Sequence, residues 1–304
     1  MLTTYIEEYG PNSVVHLSEA ERPVPRAGEV LVRVLAAGVN PVDWKIRSGA
    51  GARMGMTLPI RLGSEYVGIV EQTGEGVTNF SAGDEVFGMV KTGAFSEYLT
   101  VPAVDIARKP EGLGLKKAAA LPLAGTTAWQ AMFDEAGLVE GQRLLITGAS
   151  GGVGTLAVQL AKAAGAHVTA LCSTRNIDLV RGLGADEVVD YTACRFEDFV
   201  HDMDVVFDTV GAETFQRAFA TLRRGGVMVT VVALPEGDEA ARYGVTVKRS
   251  FTASNAETLG RIGALAEAGK LVPRIERTFG LSEVKDALEL SENGRARGKI
   301  VLTM

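Results

Sequence analysis

Cysteine is nearly absent from this chain. Two in 304 residues, Cys172 and Cys194, with no second pair, provide no disulfide framework and fit a reducing compartment. Histidine is as sparse, and His16, His167 and His201 stand far apart and read as surface or strand-edge residues. Positive charge is not in excess: a net charge of −6 and a pI near 5.3 argue against a general nucleic-acid partner or an anionic membrane surface. The opening Met-Leu-Thr-Thr-Tyr-Ile-Glu-Glu lacks the basic and apolar regions of a signal peptide, so a cytoplasmic protein is expected. The charge-free span 144–161 is long enough to raise a membrane helix, but its four glycines and several polar groups exclude one. Internal repeats and low-complexity tracts are missing too.

With 46% hydrophobic and 22% charged residues, what remains is a packed globular protein, long enough for two domains. Residues 1–110 read as mostly β. Val30–Leu35, Val67–Val70 and Glu85–Val90 are short strand-like runs bounded by glycine, proline and acidic turns, a spacing that suggests a small barrel-like fold. The character changes around 113–118. Lys116 to Phe133 is alanine-rich and helical in flavour, interrupted at Pro122 and Gly125. From 143 to 232 strands alternate with helical segments, at Leu144–Thr147, His167–Leu171, Glu187–Val189, Asp204–Asp208 and Val227–Val232, which predicts a parallel, doubly wound α/β sheet. A helix over about 256–269 and a final strand, Arg297–Leu302, end the chain.

The centre of that second region is the stretch from Leu144 to Lys162. A short apolar strand leads into a glycine cluster, Ala149-Ser-Gly-Gly-Val-Gly154, and then into apolar residues at helical spacing. A helix start with a bare backbone presents unpaired N–H groups and the positive end of the helix dipole to an anion. The glycine pattern alone is degenerate, with alanine in its first place. Its setting between two strands of a βαβ unit makes it a dinucleotide site, the alternative being a tight strand–helix turn without a ligand. The second strand ends in Leu171-Cys-Ser-Thr-Arg-Asn176, with no acid before Asp178 to grip the ribose hydroxyls of NADH. Ser173 and Arg175 are suited instead to a 2′-phosphate, which favours NADPH. Arg175 taken alone also reads as a solvated helix-start residue.

Several segments together resemble the medium-chain dehydrogenase/reductase superfamily. They are Ala37-Gly-Val-Asn-Pro-Val-Asp-Trp-Lys45, Leu62-Gly-Ser-Glu-Tyr-Val-Gly68, Gly83-Asp-Glu-Val-Phe-Gly88, Leu121-Pro-Leu-Ala-Gly-Thr-Thr-Ala128, the glycine cluster, Leu183-Gly-Ala-Asp186 and the terminal Gly-Lys-Ile-Val301. Within it the chain is most similar to the zinc-free quinone oxidoreductase branch. The resemblance implies a GroES-like β-barrel domain, 1–118 plus 268–304, with a Rossmann NADP-binding domain, 119–267, inserted and an active cleft between them. It implies that Ser150, Gly151, Gly152 and Val153 hold the pyrophosphate and that Ser173 and Arg175 take the 2′-phosphate, helped by Tyr191 and Lys299. Thr127, Val232 and Ala233 fall near the nicotinamide. Tyr191 reads equally as a half-exposed aromatic beside a strand end.

The zinc-dependent members of the superfamily use Cys and His ligands where this chain has Asn40 and Ser64, and no metal is expected. Without one, the natural reaction is hydride delivery to an already conjugated electrophile, a quinone or an α,β-unsaturated carbonyl. Candidates to orient the substrate or supply a proton are Asn40, Asp43, Lys45 and Tyr66, with Asn40 also a candidate for the cofactor ribose. Asp43 and Lys45 read alternatively as a surface ion pair, and Tyr66 as core packing. The leading expectation is an NADPH-dependent quinone reductase. An enoyl or enone reductase on the same scaffold, or an NADPH-binding redox sensor without turnover, are the alternatives. The loop 234–244 is expected to border the substrate entrance. A homodimer through the strand-like edge 245–251 follows from the resemblance.

Overall fold

Short β-branched and apolar runs punctuated by turn residues become strands along most of the chain. In chain order these are β1 (Leu2–Ile6), β2 (His16–Glu19), β3 (Glu29–Val39), β4 (Ile60–Arg61), β5 (Glu65–Thr73), β6 (Glu85–Met89), β7 (Tyr98–Pro102) and β8 (Ile106–Arg108). There follow β9 (Arg143–Ile146), β10 (His167–Cys172), β11 (Glu187–Asp190), β12 (Met203–Asp208), β13 (Leu222–Thr230) and β14 (Thr246–Arg249), and β15 (Ile275–Gly280) and β16 (Lys299–Thr303) close the chain. The computed structural model describes residues 1–234 and 237–304. Pro235 and Glu236, in the loop expected at the substrate entrance, lie outside the described residues.

The chain divides into two units, one of residues 1–123, 254–269 and 273–304, the other of 124–253 with 270–272. The first is organised on β3, whose leading half pairs with β7 and whose trailing half pairs with β16, while β5 runs antiparallel beside it. Irregularities in the β3–β5 register at Leu31/Val32 and Val34/Ala36 let the long strand bend between its two sets of partners. The seven-stranded sheet runs β15-β16-β3-β5-β6-β8 with β7 added on β3, and a smaller sheet runs β2-β1-β4. Val30, Val32, Tyr66, Val86, Phe95 and Leu302 are among the residues of its core. The C-terminal strand thus returns to the first unit, as the resemblance implies. The helix Ala256–Glu267 belongs there as well, although the expected Rossmann span of 119–267 included it. Its apolar stripe, Leu259, Ile262, Gly263 and Ala266, is buried, and Gly263 lies against Pro110 and Phe87.

The second unit carries a six-stranded sheet, parallel throughout, in the order β11-β10-β9-β12-β13-β14. Counted within the unit this is the 3-2-1-4-5-6 arrangement of a dinucleotide-binding sheet, whose order reverses between β9 and β12. Such strands are covered on both faces and so read as continuous apolar runs. Leu144, Leu145 and Ile146 of β9 are completely buried. β13 begins at Leu222, five residues before the run at Val227 that marks it in the sequence, because Arg223 to Gly226 extend the backbone without adding apolar side chains. The helical stretch does break at Pro122: a helix Leu115–Ala119 ends before it and a second, Pro122–Trp129, starts on the proline, where its missing N–H has no intrahelical acceptor to lose, whereas Gly125 sits inside the second helix without interrupting it. Among the described residues no helix is long and apolar enough to cross a membrane.

Two glycines of the second unit should respond oppositely to alanine. At Gly154 a Cβ would lie 2.7 Å from the Ala149 Cα, so Gly154→Ala is expected to lower stability by about 1–3 kcal/mol. At Gly182, inside the helix Ile177–Gly182, a Cβ meets nothing within 4 Å, and Gly182→Ala is expected to raise stability by about 0.5–1 kcal/mol. Urea unfolding of both variants measures this; equal effects would contradict the packing described.

Candidate active site

In the first unit the antiparallel register of β3 and β5 sets Gly38 opposite Glu65. With no side chain at 38, the Glu65 carboxylate lies across the strand, in space where a Cβ would also come within 2.6 Å of the Ala119 carbonyl oxygen. Glu65 is fully buried. Its Oε1 accepts from Asn40 Nδ2 at 2.8 Å and from Lys299 Nζ at 2.6 Å. Its Oε2 accepts the Leu123 N–H at 2.7 Å, a group of the first turn of Pro122–Trp129 with no acceptor inside its own helix. Lys299, 3% exposed, also donates to Asn40 Oδ1. An ion pair at this depth holds because each partner is hydrogen-bonded as well; removing one alone would strand a buried charge.

Asp43 sits beside this pair. Asn40 has extended backbone and opens the short helix Pro41–Lys45, and the Asp43 carboxylate reaches back to accept the Asn40 N–H at 2.7 Å. Ser64 Oγ donates to its other oxygen at 2.9 Å. Burial pushes the Asp43 carboxyl up to about 7, against the opposing pull of the Asn40 and Ser64 hydrogen bonds and of Lys299; Glu65 adds to the rise.

These contacts correct four of the expected roles. Both amide hydrogens of Asn40 are already donated, to Gly38 O and Glu65, so Asn40 positions the chain and does not reach a substrate or a ribose. Asp43 is buried and closes a helix start, so it is neither a surface ion-pair member nor exposed to substrate. Tyr66 is completely buried in the β3–β5 core, its hydroxyl without a partner, and desolvation holds its proton more tightly than in an ordinary phenol, which removes it as a proton donor. Lys299 is fixed between Glu65 and Asn40, and no 2′-phosphate contact is open to it. Lys45 is exposed, with its ammonium 5.6 Å from the Trp44 ring centroid, apart from the buried cluster.

In the second unit β9 runs into a turn at Gly148, where φ is +64°, and Gly151 N–H closes it on the Gly148 carbonyl at 3.0 Å. The helix Gly152–Ala163 starts there, and Ser150, Gly151, Gly152 and Val153 are half-buried. Asp208, at the end of β12, accepts from Thr147 Oγ1 at 2.7 Å, Thr230 Oγ1 at 2.8 Å and the Gly211 N–H at 3.1 Å, tying together the ends of β9, β12 and β13. Thr127 Oγ1 meets Thr252 Oγ1 at 2.7 Å, Val232 N–H donates to Thr230 Oγ1 at 3.2 Å, and Ala233 is exposed.

At the end of β10, Ser173 is half-buried and Arg175 exposed, and the Asp178 side chain points fully into solvent. Asn176 is buried, with Nδ2 3.0 Å from Ser150 Oγ and 3.2 Å from Ser173 Oγ, so one amide bridges the glycine turn and the end of the second strand. Tyr191 follows β11, its N–H on Cys172 O at 3.2 Å and the residue 48% exposed. Asp190 accepts from Thr174 Oγ1 at 2.6 Å and from the Thr192 hydroxyl and N–H, and these bonds hold its carboxyl below the usual range. Sequence reasoning missed Glu65, Asp208 and Asn176. Glu65 and Asp208 do carry a signal, an acid at the edge of an apolar run; Asn176 carries none.

The donors at this end of the sheet fit an anionic dinucleotide. The helix start bears no side chain at 151 or 152, and the Ser150 and Ser173 hydroxyls accept from Asn176 while donating to no other described residue. Among the described residues no three His, Cys, Asp or Glu side chains converge as a metal site.

Known proteins match along the whole chain. A family model described as the alcohol dehydrogenase GroES-like domain matches residues 26–111, and one described as zinc-binding dehydrogenase matches 183–302. The chain is 37% identical to the NAD(P)H oxidoreductase RTN4IP1, mitochondrial, of Mus musculus, over 98% of this chain and 88% of that protein. It is 35% identical to the NADPH-dependent alkenal/one oxidoreductase, chloroplastic, of Arabidopsis thaliana, over 97% of this chain and 77% of that protein. The solved quinone oxidoreductase from Coxiella burnetii superposes with a TM-score of 0.92 at 32% identity, covering 100% of this chain and 99% of that one.

The raised Asp43 value sets a pH dependence. Between the ordinary value of 3.8 and about 7 the folded chain holds this proton while the unfolded chain releases it, so this group's contribution to stability falls as pH rises through that window. In Asp43→Asn the Oδ1 can still accept the Asn40 N–H and the Nδ2 can donate to Ser64 Oγ. The melting temperature of Asp43→Asn relative to the parent should therefore climb from pH 4 to pH 8; a difference constant with pH would contradict the assignment.

Proposed function

The chain belongs to the medium-chain dehydrogenase/reductase superfamily, in its quinone oxidoreductase branch, and from that premise we propose that it is a zinc-independent, NADPH-dependent reductase of quinones. The observation that carries the cofactor reading is the end of β10, where Ser173 and Arg175 stand with no carboxylate before solvent-pointing Asp178. When bound, NADPH supplies a hydride, and with one proton this converts a quinone to its hydroquinone. The bare helix start at Gly151–Val153 and the Ser150 hydroxyl receive the pyrophosphate. Ser173 and Arg175 pair with the 2′-phosphate, Arg175 through a charge-assisted hydrogen bond. Tyr191 lies beside them and offers its half-exposed ring to the adenosine end.

Metal independence is supported by what surrounds Glu65: its carboxylate is neutralised by Lys299 and saturated by Asn40 and Leu123, so the pair needs no cation. The buried Tyr66 and the engaged Asn40 supply no proton, which suits a product whose oxygen can be protonated from water. Reduction of an enone, which needs a proton on carbon, is the second reading, supported by the Arabidopsis alkenal/one oxidoreductase. We place the protein in the cytoplasm, consistent with two free cysteines, acting on a small molecule with no nucleic-acid or membrane partner. The outermost position of β14 in its sheet supports a homodimer through that edge.

Cofactor oxidation with phenanthrenequinone and with hexenal, each with NADPH and NADH and with or without a chelator, tests the reading. Faster quinone turnover with NADPH, indifferent to chelator, is expected. Faster hexenal turnover would move the assignment to the enone reading, and tight NADPH binding without turnover would point to a sensor. Arg175→Ala should raise the KM for NADPH by about tenfold to a hundredfold, the loss of one charge-assisted bond, and leave the KM for NADH within about twofold. Equal losses for both cofactors would remove Arg175 from the phosphate site.

A further inference from the structure

We propose that Asn176 is a positioning residue that presets two hydroxyls for the phosphates of the dinucleotide. The proposal rests on the NADPH reading above and deepens it. Asn176 is 4% exposed, and its Nδ2 donates to both Ser150 Oγ, 3.0 Å away in the glycine turn, and Ser173 Oγ, 3.2 Å away past β10. An amide nitrogen only donates, so each seryl oxygen is used as an acceptor and its own hydrogen is turned away from Asn176. Neither hydroxyl gives that hydrogen to another described residue, and both serines are half-buried at the surface where the helix start and Arg175 lie. The hydrogens are therefore left to an acceptor from outside the chain: the pyrophosphate at Ser150 and the 2′-phosphate at Ser173.

The other end of the same amide supports a functional role. Asn176 Oδ1 is buried without a hydrogen-bond partner, an arrangement that costs stability. Its backbone is fixed by a 2.8 Å bond from its N–H to Ser173 O, so the amide cannot swing to find an acceptor without releasing both serines. One buried group thus couples the two ends of the phosphate site, and binding requires no hydroxyl reorientation at either end.

The test is a thermodynamic cycle on cofactor binding by fluorescence titration of the full chain. Asn176→Ala should weaken NADPH by about tenfold and NADH by about threefold, since NADH loses the Ser150 arm alone. In a Ser150→Ala, Ser173→Ala background the same substitution should change the NADPH Kd by less than about twofold, because the groups it orients are gone. A loss undiminished in that background, or equal losses for the two cofactors, would overturn the proposal while leaving the NADPH site standing. An unchanged NADPH Kd in the double-serine variant itself would overturn the site reading, and the proposal with it. Asn176→Asp is nearly isosteric and provides a second route should the alanine variant not fold. Its carboxylate accepts both seryl hydrogens and turns them inward, so it should weaken NADPH more than NADH, and that extra loss should shrink in the Ser150→Ala, Ser173→Ala background, where only the added charge remains; a loss undiminished there would overturn the proposal.

Discussion

The Glu65 carboxylate is the constraint on which the first unit depends. It is placed without access to water, and every lone pair that faces the protein is answered by a different part of the chain: Asn40 at the end of β3, Lys299 at the start of β16, and the Leu123 N–H at a helix start. These groups lie up to 234 residues from Glu65 in sequence. A buried charge permits few alternatives, because any arrangement that leaves it unpaired is several kcal/mol worse. The pair therefore specifies one way for the C-terminal strand to return to β3. Gly38 makes room for it, and Asn40 gives up both amide hydrogens to it.

The second unit obeys a comparable rule with different chemistry. Asp208 gathers hydroxyl and backbone donors from the ends of three neighbouring strands, and the switch in strand order falls between β9 and β12, where the first of those ends emerges. An open parallel sheet binds ligands outside the carboxyl ends of its strands, at such a switch point. The turn at Gly148 and the close approach of Gly154 to Ala149 then bring the helix start to that edge with its N–H groups uncovered. Structure and ligand preference share one cause here, a backbone stripped of side chains at the start of a helix.

Much of this was legible in the chain. The alternation of apolar strands with helices gave the parallel sheet, and the glycine cluster its ligand end. Each of these is a local pattern read within about thirty residues. The four candidates Asn40, Asp43, Tyr66 and Lys299 were misread for one reason. A polar residue near a glycine or proline looks the same in sequence whether it faces solvent or the interior, and what buries these four includes segments far along the chain, as Lys299 beside Glu65 and Asn40 shows. The helix 256–267 was placed in the wrong unit because an amphipathic stripe states that a face is buried and not against what.

By itself the sequence determined the fold class, the two-part organisation, the dinucleotide end of the sheet and the scarcity of metal-binding side chains. These follow from composition, periodicity and short motifs, which act over one or two neighbouring elements. Only the tertiary structure decided that Glu65 and Lys299 neutralise each other in the interior, that Asp43 keeps its proton to about 7, and that Asn176 reaches from one strand end to the next to touch Ser150 and Ser173. Those outcomes depend on desolvation and on hydrogen-bond geometry across the fold, quantities that exist only once distant segments are packed together.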